Sequence, residues 1–235
     1  MLLKNKNAVI YGAAGAVGSA MARAFAREGA HVFLTGRNPA RLKSLAAEIA
    51  AAGGAAEFAA VDALDEQAVE LHLDAVVAQA GGLDVSFNAI GIPQPGIQGV
   101  PLTDLPVENF LLPVMTYARA HFLTARGAAR RMVVRKAGVI LMHTPEPARS
   151  GAPLIGGMGP AWAAMEALTR DLAAEYGAMG IRPVCLRSTG LPETGTITVV
   201  FGLHAKAIGL PREEFQAMME GMSHHRRSTD RKSVV

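Results

Sequence analysis

The sequence predicts a doubly wound α/β fold: a mostly parallel sheet, covered by helices on both faces, in one domain. Three observations predict it. Short apolar runs alternate with amphipathic helical runs along most of the 235 residues, the order that builds a parallel sheet from crossover units. Half of the residues are apolar, enough to bury one core in a chain too short for two. A glycine-rich turn, "GAAGAVG" (12–18), stands between the first strand and the first helix, a place where a fold of this kind holds phosphate groups.

Each element follows from its own residues. "NAVIYG" reads as the first strand, "SAMARAFAREG" as a helix stopped by Gly29, and "HVFLTG" as the second strand. Asn38 is an N-cap, Pro39 suits the first helical position, and Leu42, Leu45 and Ile49 recur at helical spacing. "AEFAAVD" is the third strand. Asp65 caps the next helix, whose inward residues are Val69, Leu73 and Val76, and Gly81-Gly82 ends it. "LDVSFNA", "GVILMH" and "RPVCLR" are the fourth to sixth strands, with a helix over 156–177 before the last.

Residues 107–135 form a long helix, and Pro113 inside it predicts a kink or a restart, because an interior proline costs about 3 kcal/mol. Pro183 in the sixth strand is better tolerated at a sheet edge than inside, so no seventh strand is expected beyond it. The domain is set at 1–222. Residues 223–235, "SHHRRSTDRKSVV", read as a disordered basic tail, with His224 and His225 as tail residues and no metal site.

Bulk charge points to no partner: 23 basic against 20 acidic residues leave a net +3. Arg119, Arg126, Arg130, Arg131, Arg135 and Lys136 have no acid among them and read as a solvated basic face, so nucleic acid is not expected. The one cysteine, Cys185, lies in the apolar run "VCL" and allows no disulfide within the chain, which suits a reducing cytoplasm. The first residues imitate a secretory signal but are broken by glycines, and no run is apolar and uninterrupted enough to span a membrane. A Gly-x-Ser-x-Gly elbow is absent, so hydrolysis by that route is not supported.

The amides of the turn at 12–18 and the positive end of the following helix suit a pyrophosphate. From about residue 5 to about residue 200, "GAAGAVG", "LTGRNPARL", "VDALDE", "DVSFNAIG" and "ALTRDLAAEYGAMGIR" stand in the order of the short-chain dehydrogenases/reductases, and the chain resembles that family. The resemblance implies a Rossmann-like fold, a nicotinamide dinucleotide, and assembly as a homodimer or homotetramer through the two long helices. Gly12 and Gly18 match the ends of the family's Gly-x-x-x-Gly-x-Gly; Ala16 replaces the middle glycine, and Gly15 is displaced by one. Arg37 follows the second strand where users of NAD place an acid. An arginine can pair with a 2′-phosphate, so NADP is expected over NAD. The residues that the resemblance places at the cofactor are Gly12, Ala14, Gly15, Ala16, Val17, Gly18, Arg37, Asn38, Asp62, Ala63, Asn88, Ala89 and Thr194. Asp62 would meet the adenine amino group. Asn88 would hold the fourth strand beside the ribose, or serve only as a satisfied strand-end amide.

The family's proton chemistry uses an asparagine, a serine, a tyrosine and a lysine four residues after the tyrosine. Here those positions fall on Tyr117, Pro145, Met158 and Trp162. The residues four places after the three tyrosines are Gly15, His121 and Gly180, so Tyr-x-x-x-Lys occurs nowhere. A thioether and an indole supply neither a proton for an alkoxide nor a positive charge. Tyr117 and His121, four apart on one helix, and His143 and Thr144, at the end of the fifth strand, are the remaining polar candidates; Tyr117, His143 and Thr144 are taken as candidate catalytic residues. Two functions stay open: an atypical NADP(H)-binding oxidoreductase reducing a carbonyl by another proton route, and a dinucleotide-binding or sensor protein without catalysis. The substrate is not legible.

Overall fold

Strand β1 (Asn7–Tyr11), with side chains buried from Ala8 to Tyr11, is the middle of the molecule's sheet. The structure is a computed structural model and describes residues 1–223 and 226–228. Strands β2 (His31–Gly36), β3 (Ala55–Ala60), β4 (Val85–Asn88), β5 (Gly138–Pro145) and β6 (Ile181–Ser188) complete one Rossmann-like parallel sheet in the order β3-β2-β1-β4-β5-β6. The order reverses at β1, which pairs Ala8 with Val32 on one side and Val85 on the other. Among the described residues there is no seventh strand, and Pro183 lies on an edge strand, where its missing N–H is tolerated.

The helices are α1 (Ala16–Arg27), α2 (Pro39–Ala51), α3 (Glu66–Ala80), α4 (Val107–Arg135), the short α5 (Pro147–Ser150), α6 (Met158–Tyr176), α7 (Gly195–Ala207) and α8 (Arg212–Met222). Helix α2 starts where Asn38 accepts the Arg41 amide at 3.1 Å, and α3 where Asp65 accepts the Ala68 amide at 3.1 Å. Gly81 ends α3 in the left-handed conformation, φ 77°. Of the kink or restart expected at Pro113, the restart does not occur: α4 runs as one helix through it. Pro113 is buried, and a side-chain carbon on Gly157 would lie 3.0 Å from its Cγ. The glycine leaves room for the ring, and burying the ring offsets the lost hydrogen bond.

The chain forms two compact units, each described by itself. The first comprises Met1–Gly91, Arg119–His143 and Ala167–Leu186. Its apolar core gathers Ile10, Val32, Leu34, Leu42, Ile49 and Phe87 from β1, β2, β4 and α2. The arginines of α4 do not form a free basic face. Arg126 pairs with Glu66, Arg130 with Glu70 at 3.1 Å, and Arg131 with Glu70 at 2.7 Å and Asp74 at 2.5 Å, so α3 neutralises α4. Arg135 reaches Asp84 at 3.6 Å. The sequence showed no acids nearby because they come from another helix. Cys185 is half-buried rather than buried.

The second unit comprises Ile92–Ala118, Thr144–Glu166 and the chain from Arg187 on. Phe201 and Ala205 of α7 pack on Phe215 of α8, the two phenyl rings edge to face with centroids 5.3 Å apart. Of the expected tail, Ser228 donates to Glu220 at 2.8 Å; residues 224, 225 and 229–235, His224 and His225 among them, lie outside the described residues.

Tyr11 carries the cost of this core. Its side chain is fully buried, its hydroxyl has no hydrogen-bond partner, and burial holds its proton on far above the ordinary phenol range. Tyr11→Phe removes that unsatisfied group and is expected to leave stability unchanged or raise it by about 1 kcal/mol. Arg131→Ala leaves Glu70 with Arg130 alone and removes the partner of Asp74, and is expected to cost about 1 kcal/mol or more, since the arginine is only 12% exposed. Urea midpoints of the two variants measure both.

Candidate nucleotide site

The turn at 12–18 is built by close backbone approach. Gly12 has φ 68°, and a side-chain carbon there would lie 2.7 Å from the Ala89 carbonyl oxygen at the end of β4. One on Gly18 would run into the carbonyl of Gly12 and lie 2.9 Å from Ala13 Cα. These two positions need glycine to bring α1 onto β1 and β4, whatever is bound. Gly15 is the N-cap of α1, extended at φ −76° and ψ 169°. It offers no capping side chain, and the first turn of α1 carries no acid. The leading amides of α1, at Ala16, Val17 and Gly18, thus meet neither a capping side chain nor a first-turn acid, an arrangement that fits a pyrophosphate. Ala14 lies in the same turn.

Around this turn the first unit places the other expected cofactor residues at the ends of its strands. Arg37 and Asn38 follow β2 and are exposed. Asn38 uses its side-chain oxygen to cap α2, so its contact with a ligand is limited to what remains. Asp62 and Ala63 follow β3; Asp62 is half-buried and accepts the Leu64 amide at 3.0 Å. Asn88 is buried and satisfied. Its amide donates to the Ala120 carbonyl at 3.3 Å and to Thr124 Oγ1 at 3.0 Å, and its oxygen accepts the Ile90 amide at 3.1 Å. It ties the end of β4 to α4, the structural alternative that its sequence context left open. Ala89 donates its amide to the Tyr11 carbonyl at 2.9 Å.

His143, on β5, and His121, on α4, also belong to this unit. Burial lowers the pKa of both, that of His121 to about 3, so His121 is neutral at physiological pH.

The second unit holds the remaining candidates. Tyr117 is buried, and burial pushes its pKa up to about 12, with a hydrogen bond from the Ile92 backbone working against the rise. Thr144 is fully buried and donates to Glu166 Oε1 at 3.0 Å. Arg187 grips the same carboxylate through two N–H groups, at 2.9 and 2.8 Å, so the charge is compensated in place. Pro145 ends β5. Met158 and Trp162, on the first turns of α6, are buried at 2% and 8% exposure. Thr194 caps α7, accepting the Ile197 amide at 3.3 Å and donating to the Leu191 carbonyl at 2.8 Å.

Sequence reading missed Glu166 and Arg187, although Glu166 stands one turn beyond Trp162 on the same helical stripe. It also missed Gln94, Gln98 and His204, a buried polar chain whose members sit in irregular backbone or among apolar residues and give no periodic signal.

Fold and turn together define an α/β nucleotide-binding protein, with the anion-binding turn at the point where the strand order reverses. The chain belongs to the short-chain dehydrogenase/reductase family. A family model described as Enoyl-(Acyl carrier protein) reductase matches residues 12–198. An uncharacterized oxidoreductase, YxbG, from Bacillus subtilis is 30% identical over 207 residues, 88% of this chain and 74% of that protein. L-rhamnose 1-dehydrogenase (NAD(P)(+)) from Azotobacter vinelandii is 34% identical over 187 residues, 77% and 72% of the two chains. For 1-deoxy-11-beta-hydroxypentalenate dehydrogenase from Streptomyces exfoliatus the identity is 32%, and this chain spans 66% of that protein. Among solved structures, NAD+-bound xylitol dehydrogenase superposes with TM-score 0.90 at 24% identity, covering 98% of this chain and 89% of that one. Actinorhodin polyketide ketoreductase with NADPH gives 0.88 at 22%, covering 97% and 87%. These two show the fold. Membership of the family supports an oxidoreductase function with a nicotinamide dinucleotide. Among the described residues no helix is long and apolar enough to cross a membrane.

Because the folded protein refuses a proton at His121 that the unfolded chain accepts, stability falls as pH drops below about 6.5, by about 1.4 kcal/mol per pH unit for one fully excluded histidine. The loss continues down to the folded pKa of about 3. Chemical denaturation between pH 7.5 and pH 5 is expected to show that slope, and His121→Leu to make it shallower.

Proposed function

We propose that this chain is an atypical NADP(H)-binding oxidoreductase of the family, acting on a carbonyl or alcohol by a proton route that does not use a tyrosine–lysine pair. Arg37 carries the cofactor part of the reading: it stands exposed just beyond β2, and no acid stands at that strand end to repel a 2′-phosphate. The leading amides of α1 would hold the pyrophosphate and Asp62 the adenine side. When bound, the nicotinamide supplies or takes a hydride; the chain's own residues must manage the proton.

Tyr117, with His143 and Thr144, is the candidate set for that proton. Tyr117 keeps its proton up to about pH 12, so it acts as a hydrogen-bond donor at neutral pH and as an acid only toward a strongly basic oxygen. That observation also favours a second reading, cofactor binding without turnover, in which Met158 and Trp162 pack where a proton donor and a cation would stand. Assembly as a homodimer or homotetramer is proposed on the exposed apolar residues of α4, Leu111, Met115 and Phe122, spaced by four and seven. A cytoplasmic location is proposed on the single free cysteine.

Titration with NADPH and NADH, followed by the fluorescence of Trp162, the only indole, tests the cofactor. NADPH is expected to bind at least tenfold tighter, and Arg37→Ala to remove the preference; equal affinities for the unchanged protein would sink the NADP reading. NADPH consumption with a panel of carbonyls separates the two functions: tight binding with no turnover leaves only the second. Where turnover is seen, Tyr117→Phe is expected to abolish it with unchanged cofactor affinity, and an active variant would end Tyr117's catalytic role.

A further inference from the structure

Three polar side chains of the second unit that the proposed chemistry does not use are nine-tenths buried: Gln94 at 5%, Gln98 at 4% and His204 at 8% exposure. Buried amides are tolerated when each donor and acceptor is met, and these three meet one another. Gln94 Nε2 donates to the Ile92 carbonyl at 2.7 Å, Gln98 Nε2 donates to Gln94 Oε1 at 2.6 Å, and His204 Nε2 lies 3.0 Å from Gln98 Oε1.

The sense of this chain is forced from one end. The Ile92 carbonyl has no proton to give, so Gln94 must turn its amide nitrogen toward it and its oxygen toward Gln98. Gln98 must then present its nitrogen to Gln94 and its oxygen to His204, and His204 must carry a proton on Nε2. Turning any one amide over would set two acceptors, or two donors, face to face.

The chain begins on α7 at His204 and ends at Ile92, whose backbone also hydrogen-bonds the Tyr117 hydroxyl. The same segment is held on α7 by contact as well. Gly99 has φ 79°, and a side-chain carbon there would lie 2.8 Å from the Leu203 carbonyl oxygen. Its amide donates to the Leu154 carbonyl at 2.8 Å. The residues between 92 and 99 therefore have little freedom to shift without breaking the chain. Thr194 caps the first turn of the same helix, and His204 stands in its last turn.

We propose that Gln94, Gln98 and His204 are positioning residues for Tyr117, setting through Ile92 where its hydroxyl stands and making that position depend on the docking of α7. The bearing on catalysis rests on the role proposed for Tyr117; the coupling itself stands on the hydrogen bonds and is tested without turnover. Protein labelled with 13C at tyrosine Cζ gives one resonance for each of its three tyrosines, and the signal lost in Tyr117→Phe identifies Tyr117. His204→Phe is expected to shift the Tyr117 resonance while those of Tyr11 and Tyr176 stay in place. His204→Gln, which again offers an N–H to Gln98, is expected to move it back. Gln98→Met, which breaks the chain at its middle, is expected to give the same shift, and the double variant no more than either alone. A Tyr117 resonance unmoved by His204→Phe and by Gln98→Met overturns the proposal. Should His204→Phe fail to fold, with all three resonances collapsing, Gln98→Met decides alone. The imidazole 15N shifts of His204 are expected to report a proton on Nε2, and an Nδ1–H tautomer would overturn the forced sense of the chain. An active Tyr117→Phe enzyme would remove Tyr117 from catalysis and leave this coupling intact, so the two failures are distinguishable.

Discussion

The first unit depends on one backbone approach: Gly12, at the end of β1, lies against the carbonyl of Ala89, at the end of β4, with no space for a side chain between them. Gly18 repeats the approach one turn into α1, against Gly12 itself. Because these contacts are backbone to backbone, no repacking of side chains relieves a methyl group placed there. They draw the head of α1 to the strand ends, which aims its unmet amides outward. The nucleotide turn is thus a consequence of how tightly helix and sheet are joined. The two glycines that the join requires are Gly12 and Gly18, and both are kept.

Elsewhere the structure holds polar groups by matching them internally. Helix α4 brings its arginines to the carboxylates of α3, the carboxylate of Glu166 receives Thr144 and Arg187, and the Gln94–Gln98–His204 chain closes on a backbone carbonyl. Buried histidines stay neutral, and Tyr117 holds its proton. The chain keeps the fold of its family without the family's tyrosine–lysine pair.

Much of the fold was legible because it follows from local chemistry. Asn38 and Asp65 announce their helices by side-chain caps, Gly81 ends one by its left-handed backbone, and Leu42, Leu45, Ile49, Val69, Leu73 and Val76 are buried as their spacing requires. Pro183 marked an edge strand correctly because a missing N–H is a local fact. Pro113 did not restart the helix, for the complementary reason. The cost of an interior proline is local, but what offsets it, the room left by Gly157, comes from a residue 44 positions away. The arginines of α4 show the same limit, since Arg126, Arg130 and Arg131 meet carboxylates of α3 and Arg135 meets Asp84.

By itself the sequence determined the class of fold, the glycine-rich turn between β1 and α1, and the absence of a tyrosine–lysine pair, because periodicity, glycine placement and residue identity are properties of short stretches. The tertiary structure decided what the remaining polar groups are. Asn88 became a clamp on α4, Thr144 a donor to Glu166, and Gln98 a link between α7 and the loop that touches Tyr117. A hydrogen bond or an ion pair needs two groups within about 3 Å of each other, and for residues as far apart in the chain as Gln98 and His204, only the folded backbone sets that distance.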